Sequence, residues 1–140
     1  MRLRLRGFVW IRKNGVLVHS GPNIIVTAGF ELLAGIIGAS STKPSHMAFG
    51  DSNTAPALAQ TALQGTEAQR KTVSTGVSTR TITYTSAAFG PGLGSDKTAR
   101  EFGIFNAGAA GTMLARFITP DFPILTTDSV VVTWSVTIGD

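Results

Sequence analysis

The chain has 140 residues, a length that suits one domain around a single core of ordinary size. Its 12 Lys and Arg outnumber 8 Asp and Glu to give +4, yet only 14% of residues are charged and 43% are apolar, which excludes a disordered chain. There is no Cys, so disulfides, cysteine nucleophiles and thiolate metal sites are excluded, and no apolar run of about 18 residues is present to form a spanning helix.

The basic excess sits at the start. Arg2, Arg4, Arg6, Arg12 and Lys13 fall in the first 13 residues, which hold no acid. A secretory signal would continue into an apolar run of about 7–15 residues. Here Phe8-Val9-Trp10-Ile11 is cut short by Arg12 and Lys13, so the segment is expected to be mature structure. Arg2, Arg4 and Arg6 alternate with Leu3 and Leu5. At period two, Phe8 and Trp10 join the arginine face, and Val9 and Ile11 join the leucine face. Asn14-Gly15 is a strong hairpin signal, and Val16-Leu17-Val18 supplies the return strand. Residues 1–20 are predicted as a basic β-hairpin belonging to the same domain as the rest of residues 1–140.

Residues 27–38 carry the one helical pattern. Phe30, Leu33, Ile36 and Ile37 recur at spacings of three and four, Thr27 is placed to cap, Glu31 to face the positive first turn, and Gly38 to end it. Gly29 and Gly35 weaken it. Residues 40–66 read as loop, with a short strand at 46–49 and a helical turn at 57–63 after Pro56. Residues 69–89 read as Thr/Val/Ile-rich strands bent near Gly76. The cluster Gly90-Pro91-Gly92-Leu93-Gly94-Ser95-Asp96 is a turn, followed by a strand at 98–105, a small-residue turn at 106–111 and a strand at 112–118. After the stretch from 120 to 123, Val130, Val132, Trp134, Val136 and Ile138 share one face of a last strand. About eight strands and one helix, with no βαβ alternation, predict a mainly β chain: an antiparallel, jelly-roll-like β-sandwich with one short helix near residues 27–38.

Candidate chemistry is thin. Phe49-Gly50-Asp51-Ser52-Asn53-Thr54 is similar to the nucleophile block of the GDSL/SGNH esterases. That chemistry needs a histidine base from an Asp-x-x-His element near the C-terminus, and the two histidines here are His19 and His46. The block therefore reads as a loop of Asx-type turns. The glycines at 90–94 lead into a strand and not a helix, which excludes a dinucleotide fingerprint. No acid or second histidine stands at ligand spacing from His19 or His46, so no metal and no cofactor are expected. Asp121 and Asp128 flank a loop and Glu101 abuts Arg100, without the signature of a glycosidase pair. No catalytic residue is assigned. The arginine face has three readings: a solvated edge whose charges discourage aggregation, a docking surface anchored by Phe8 and Trp10, or a nucleic-acid contact. The last is disfavoured, because the remaining chain has seven bases against eight acids.

Three segments resemble small structural proteins of tailed bacteriophages. The first is Met47-Ala48-Phe49-Gly50-Asp51-Ser52-Asn53-Thr54-Ala55-Pro56, with Thr61-Ala62-Leu63 and Glu67-Ala68-Gln69-Arg70-Lys71. The second is Arg100-Glu101-Phe102-Gly103-Ile104-Phe105-Asn106, with Thr112-Met113-Leu114-Ala115-Arg116-Phe117. The third is Val131-Val132-Thr133-Trp134-Ser135-Val136-Thr137-Ile138. Such segments occur in tail-fibre-associated proteins and in capsid cement, or decoration, proteins. Without a repetitive fibrous shaft, this chain resembles a cement subunit more. The resemblance implies a non-enzymatic jelly-roll virion protein, made in the host bacterial cytoplasm, that assembles as a homo-oligomer on the outer capsid surface and bridges major capsid proteins. The alternative is a tail-fibre-associated or receptor-binding virion protein. On the cement reading Arg2, Arg4, Arg6, Phe8 and Trp10 dock on the major capsid protein, and Phe30, Leu33 and Ile37 hold a dimer. Membrane and direct nucleic-acid partners are not expected.

Overall fold

Strand β1 (Arg4–Lys13) turns at Asn14-Gly15, and β2 (Val16–Ile25) returns beside it. Asn14 and Gly15 take the left-handed backbone, φ 52° and 82°, that a tight hairpin turn requires. The structure, a computed structural model, describes residues 4–139. Helix α1 (Thr27–Ile37) follows, and then β3 (His46–Gly50), β4 (Glu67–Ser78), β5 (Thr81–Ser86), β6 (Lys97–Phe105), β7 (Met113–Ile124) and β8 (Val130–Gly139). Every strand pair is antiparallel. The spatial order is β1-β2-β7-β6-β3-β4-β5-β8, and β8 pairs with β1 to close a barrel.

The chain is thus mainly β with one short helix, as expected, but two separate sandwich sheets are not what forms. Two bent strands join them. β2 pairs with β1 as far as Asn23 and then with β7 at Ile24 and Ile25. β4 pairs with β3 as far as Thr72 and then with β5 from Val73 onward. A strand that changes sheets at a corner removes both sheet edges at once. Alternation along a strand carries no information about which neighbours it will find, so closure was invisible in the pattern.

The β2–β7 seam has only two residue pairs, Ile24↔Arg116 and Ile25↔Ala115. Both strands carry prolines near it, Pro22 in β2 and Pro120 and Pro123 in β7. Proline has no N–H to give to a ladder, so these strands diverge. Side chains fill the gap: the His19 and Phe122 rings lie 5.1 Å apart, and Phe117 packs beside Gly21. This corrects the expected strand end at 118. β7 runs on through Pro123 because β6 alone is its ladder partner there, with Thr98↔Pro123 and Lys97↔Ile124. β4 likewise passes straight through Gly76, and the chain turns at Thr79, φ 55°, and Arg80.

Helix α1 differs from expectation at its ends. Val26 and not Thr27 is the N-cap, without a side-chain cap bond, and the first turn holds no acid. Gly38 is the C-cap, its N–H making the last i→i−4 bond to Ala34 O, and the helix ends at Ala39, which is left-handed at φ 57° and donates to Ile36 O. Gly29 lies against the β7 backbone, where a Cβ would strike Leu114 O. Leu32 is buried beside it.

The inward positions follow the predicted faces: Val9 and Ile11 from β1, and Val130, Val132, Trp134 and Val136 from β8, are buried. Trp134 is fully buried, and its Nε1–H donates to Asn23 Oδ1 at 3.0 Å. That amide occupies space left by Gly7, where a Cβ would collide with it. Gly7→Ala is expected to displace Asn23 and strand the indole N–H, a loss of about 1–3 kcal/mol. A lowered melting temperature together with a changed near-UV tryptophan signal checks this. An unaltered tryptophan signal would contradict the mechanism.

Candidate functional site

The two outer faces of the barrel are unequal. Outside β3, β6 and β7, a second apolar cluster of Val26, Ala48, Phe105 and Met113 is covered by Ala28 of the helix and Leu63 of the loop between β3 and β4. Outside β1, β8 and β5, no such layer covers the described residues, and their outward side chains are exposed or half-buried.

The residues expected to dock lie on that bare face. Arg4 and Arg6 are exposed, and Phe8 and Trp10 are half-buried, with their rings 4.7 Å apart and tilted by 47°. Leu5, Gly7, Val9 and Ile11 point the other way, into the barrel. The pairs Phe8↔Ser135 and Trp10↔Thr133 place both rings directly beside small hydroxyl side chains of β8. Arg2 lies outside the described residues. The bases present are arginines, whose planar, weakly hydrated heads suit contact with carboxylates at an interface.

The helix residues expected in self-association are brought to one stripe. Phe30 is 47% exposed, Ile37 79% exposed, and Leu33 half-buried between them. The adjoining stripe, Gly29, Leu32 and Ile36, packs on the barrel, and Leu33 also faces it, lining a small cavity with Leu5, Tyr84 and Val136.

The centre that sequence reasoning missed is an ion pair. Glu101 on β6 and Arg116 on β7 are both fully buried, with Arg116 Nε 3.0 Å from Glu101 Oε1. Glu101 also accepts the backbone N–H groups of Gln64, Ser52 and Gly65 at 2.7, 2.9 and 2.8 Å. Arg116 donates to Thr54 O at 2.7 Å and to Gln60 Oε1 at 3.2 Å. One pair thereby pins both arms of the loop between β3 and β4 onto the barrel. Both charges come from the second of the three segments singled out above, and the backbone of the first, at Ser52 N–H and Thr54 O, is what they hold. A readable signal existed: Phe102 to Phe105 is a continuous apolar run, the mark of a strand covered on both faces.

The other singled-out groups are also engaged. Arg70 forks onto Glu67 at 2.7 and 3.1 Å, donates to Ala107 O and Ala110 O at 2.9 Å, and lies 4.1 Å from the Phe105 ring centre, fastening the turn at 106–111. Asp121 pairs with Arg100 at 3.0 Å. Ser52 Oγ donates to Thr54 Oγ1 at 2.9 Å, and His46 Nδ1 shares a hydrogen bond of 2.8 Å with Ser45 Oγ. The turn at 90–94 offers Pro91 O to Gln69 and Lys71 at 2.8 and 3.0 Å. Burial holds the His19 imidazole below its ordinary range.

Asp128 organises one end of the barrel. It accepts Leu125 N–H at 2.8 Å and Asn14 Nδ2 at 3.1 Å, and pairs with Lys13 at 3.2 Å. The Leu125 and Asn14 hydrogen bonds, with Lys13 nearby, hold its carboxyl below the usual range. A depressed folded value contributes stability above the unfolded carboxylate's pKa of about 3.9, lost as pH falls through the folded value. Asp128→Asn is therefore expected to melt below the parent at pH 7, with the gap closing as melts are taken from pH 5 down to pH 2. A gap that stays constant would contradict this.

The fold defines an eight-stranded antiparallel barrel with one bare and one covered outer face. No protein-family model matches the chain, and comparison with curated proteins and with solved structures gives no match to it.

Proposed function

We propose that this chain is a non-enzymatic cement subunit on the outer capsid surface of a tailed phage, bridging neighbouring major capsid proteins. The observation that carries the reading is the Phe8–Trp10 pair, half-exposed on a bare, arginine-bearing sheet face beside small hydroxyl residues. Aromatic residues and arginine are the usual anchors of protein interfaces. The nested pairs β1–β8, β2–β7, β3–β6 and β4–β5 support the jelly-roll part of the reading, since a doubled ribbon wrapped into a barrel makes them. The three phage-like segments support the virion part.

A shell strained by packaged DNA is stabilised by any subunit that binds assembled capsid better than free capsomers. That task needs a rigid scaffold, a docking face and self-association, and no reacting group. The barrel with its pinned loop is the scaffold, the outer face of β1 is the docking face, and the Phe30–Leu33–Ile37 stripe of α1 holds two copies together. Phe30→Ser with Ile37→Ser is expected to turn a dimer into a monomer in sedimentation velocity, with each chain still folded by circular dichroism because both side chains are exposed on the single chain. A monomeric parent would remove the stripe from the reading.

Electron microscopy of labelled virions tests the whole. Hundreds of copies over the head are expected. A handful at the tail would replace the reading with a tail-associated one.

A further inference from the structure

We infer that the outer face of β1, β8 and β5 is a single binding surface for an elongated acidic protein segment whose carboxylates form two clusters about 20 Å apart, separated by a neutral stretch. This deepens the docking reading and rests on it. Across from the rings on β1, the outward residues of β8 are Thr133, Ser135 and Thr137, and their partners on β5 are Thr85, Thr83 and Thr81. β4 continues the row with Gly76 opposite Thr83, where a Cβ would meet nothing within 4 Å. No outward side chain on these rows exceeds Thr in size, so the three strands form a low shelf, with Phe8 and Trp10 standing as a wall along one side. Two interstrand spacings make the span from β1 to β5 about 10 Å, room for one extended segment or a helix.

Charge lies only at the ends of this shelf. β1, β5 and β8 hold no Asp or Glu among the described residues. At one end Arg4 faces Gly139, and the Arg80 guanidinium lies 3.4 Å from where a Gly139 Cβ would stand. Arg6 follows on the same strand, opposite Thr137. At the other end Arg12 stands opposite Val131. From Arg6 to Arg12 the strand rises about 20 Å, and the outward residues between them on β1 are Phe8 and Trp10. A nucleic acid carries a phosphate every few ångströms and would lay several over uncharged hydroxyls and rings, gaining little from counterion release. A protein segment with acids at two places and neutral residues between them matches both ends and the shelf.

Synthetic peptides measure this spacing. The full chain is titrated at low salt with two peptides of equal length, each carrying two di-glutamate clusters separated by four Ser/Gly residues or by none, and with a 12-residue oligothymidylate. With four residues between them the two clusters stand six residues apart, about 20 Å in an extended chain, and contiguous clusters stand about 7 Å apart. Trp10 fluorescence reports binding, since Trp134 is fully buried. The spaced peptide is expected to bind about fivefold or more tighter than the contiguous one, and Thr83→Tyr, which fills the shelf without touching an arginine, to weaken it by about fivefold at unchanged melting temperature. Equal binding of the two peptides, indifference to Thr83→Tyr, or tighter binding of the oligothymidylate each overturns the inference. If the peptides show no spacing preference while Trp10→Ala still strips the chain from heads, the charge layout fails and docking stands. If Trp10→Ala leaves decoration intact, docking itself fails.

Discussion

Glu101→Ala is expected to lower the melting temperature by about 10–20 °C. Removing one partner of a buried ion pair costs about 3–5 kcal/mol because the other charge is left uncompensated, and each kcal/mol moves a domain of this size by about 2–8 °C. Here the loss is compounded. Glu101 is the acceptor for Arg116 and for three backbone N–H groups of the loop between β3 and β4, and Ala can accept none of them. Arg116→Ala should cost less, because the carboxylate would keep those three N–H donors. The two variants should also expose the loop, so limited proteolysis within residues 51–66 should speed up in the same order. Circular dichroism melts check the first effect. A shift below about 3 °C would mean that the pair is not what holds the loop.

Trp10→Ala is expected to weaken binding to undecorated heads by about thirtyfold or more, the loss of an anchor worth about 2 kcal/mol or more. Phe8→Ala should act in the same direction, since the two rings touch. Melting should change little, as the Trp10 ring is half-exposed and the core indole is Trp134. Arg4→Ala with Arg12→Ala should behave differently, slowing association and flattening its salt dependence more than it speeds release. Titration of stripped heads at two ionic strengths separates the cases. Parent-like decoration by Trp10→Ala would end the docking assignment.

The arginine–aromatic face and the inward face of β8 were legible because they need only period-two alternation within one strand. The hairpin was legible because Asn14-Gly15 is local turn chemistry. The helix was legible from its spacing, while its cap was not. Val26 begins it because its N–H is taken by Leu114 O and the Thr27 N–H by Leu58 O, contacts that come from distant parts of the chain. The pairing of Glu101 with Arg116 was hidden for a similar reason. Each looked like an ordinary strand charge, and only the loop folding over β6 and β7 makes that surface an interior.

The amino-acid order alone determined which segments are strands and which side chains share a face, together with the hairpin turn at Asn14-Gly15, because these depend on neighbours one to four residues away. The tertiary structure alone decided that β2 and β4 bend to close a barrel, that one outer face is covered while the other stays bare, and that two charges end up inside. Those outcomes depend on which distant surfaces meet and on where missing proline N–H groups forbid a ladder, and neither is written in any single stretch of the chain.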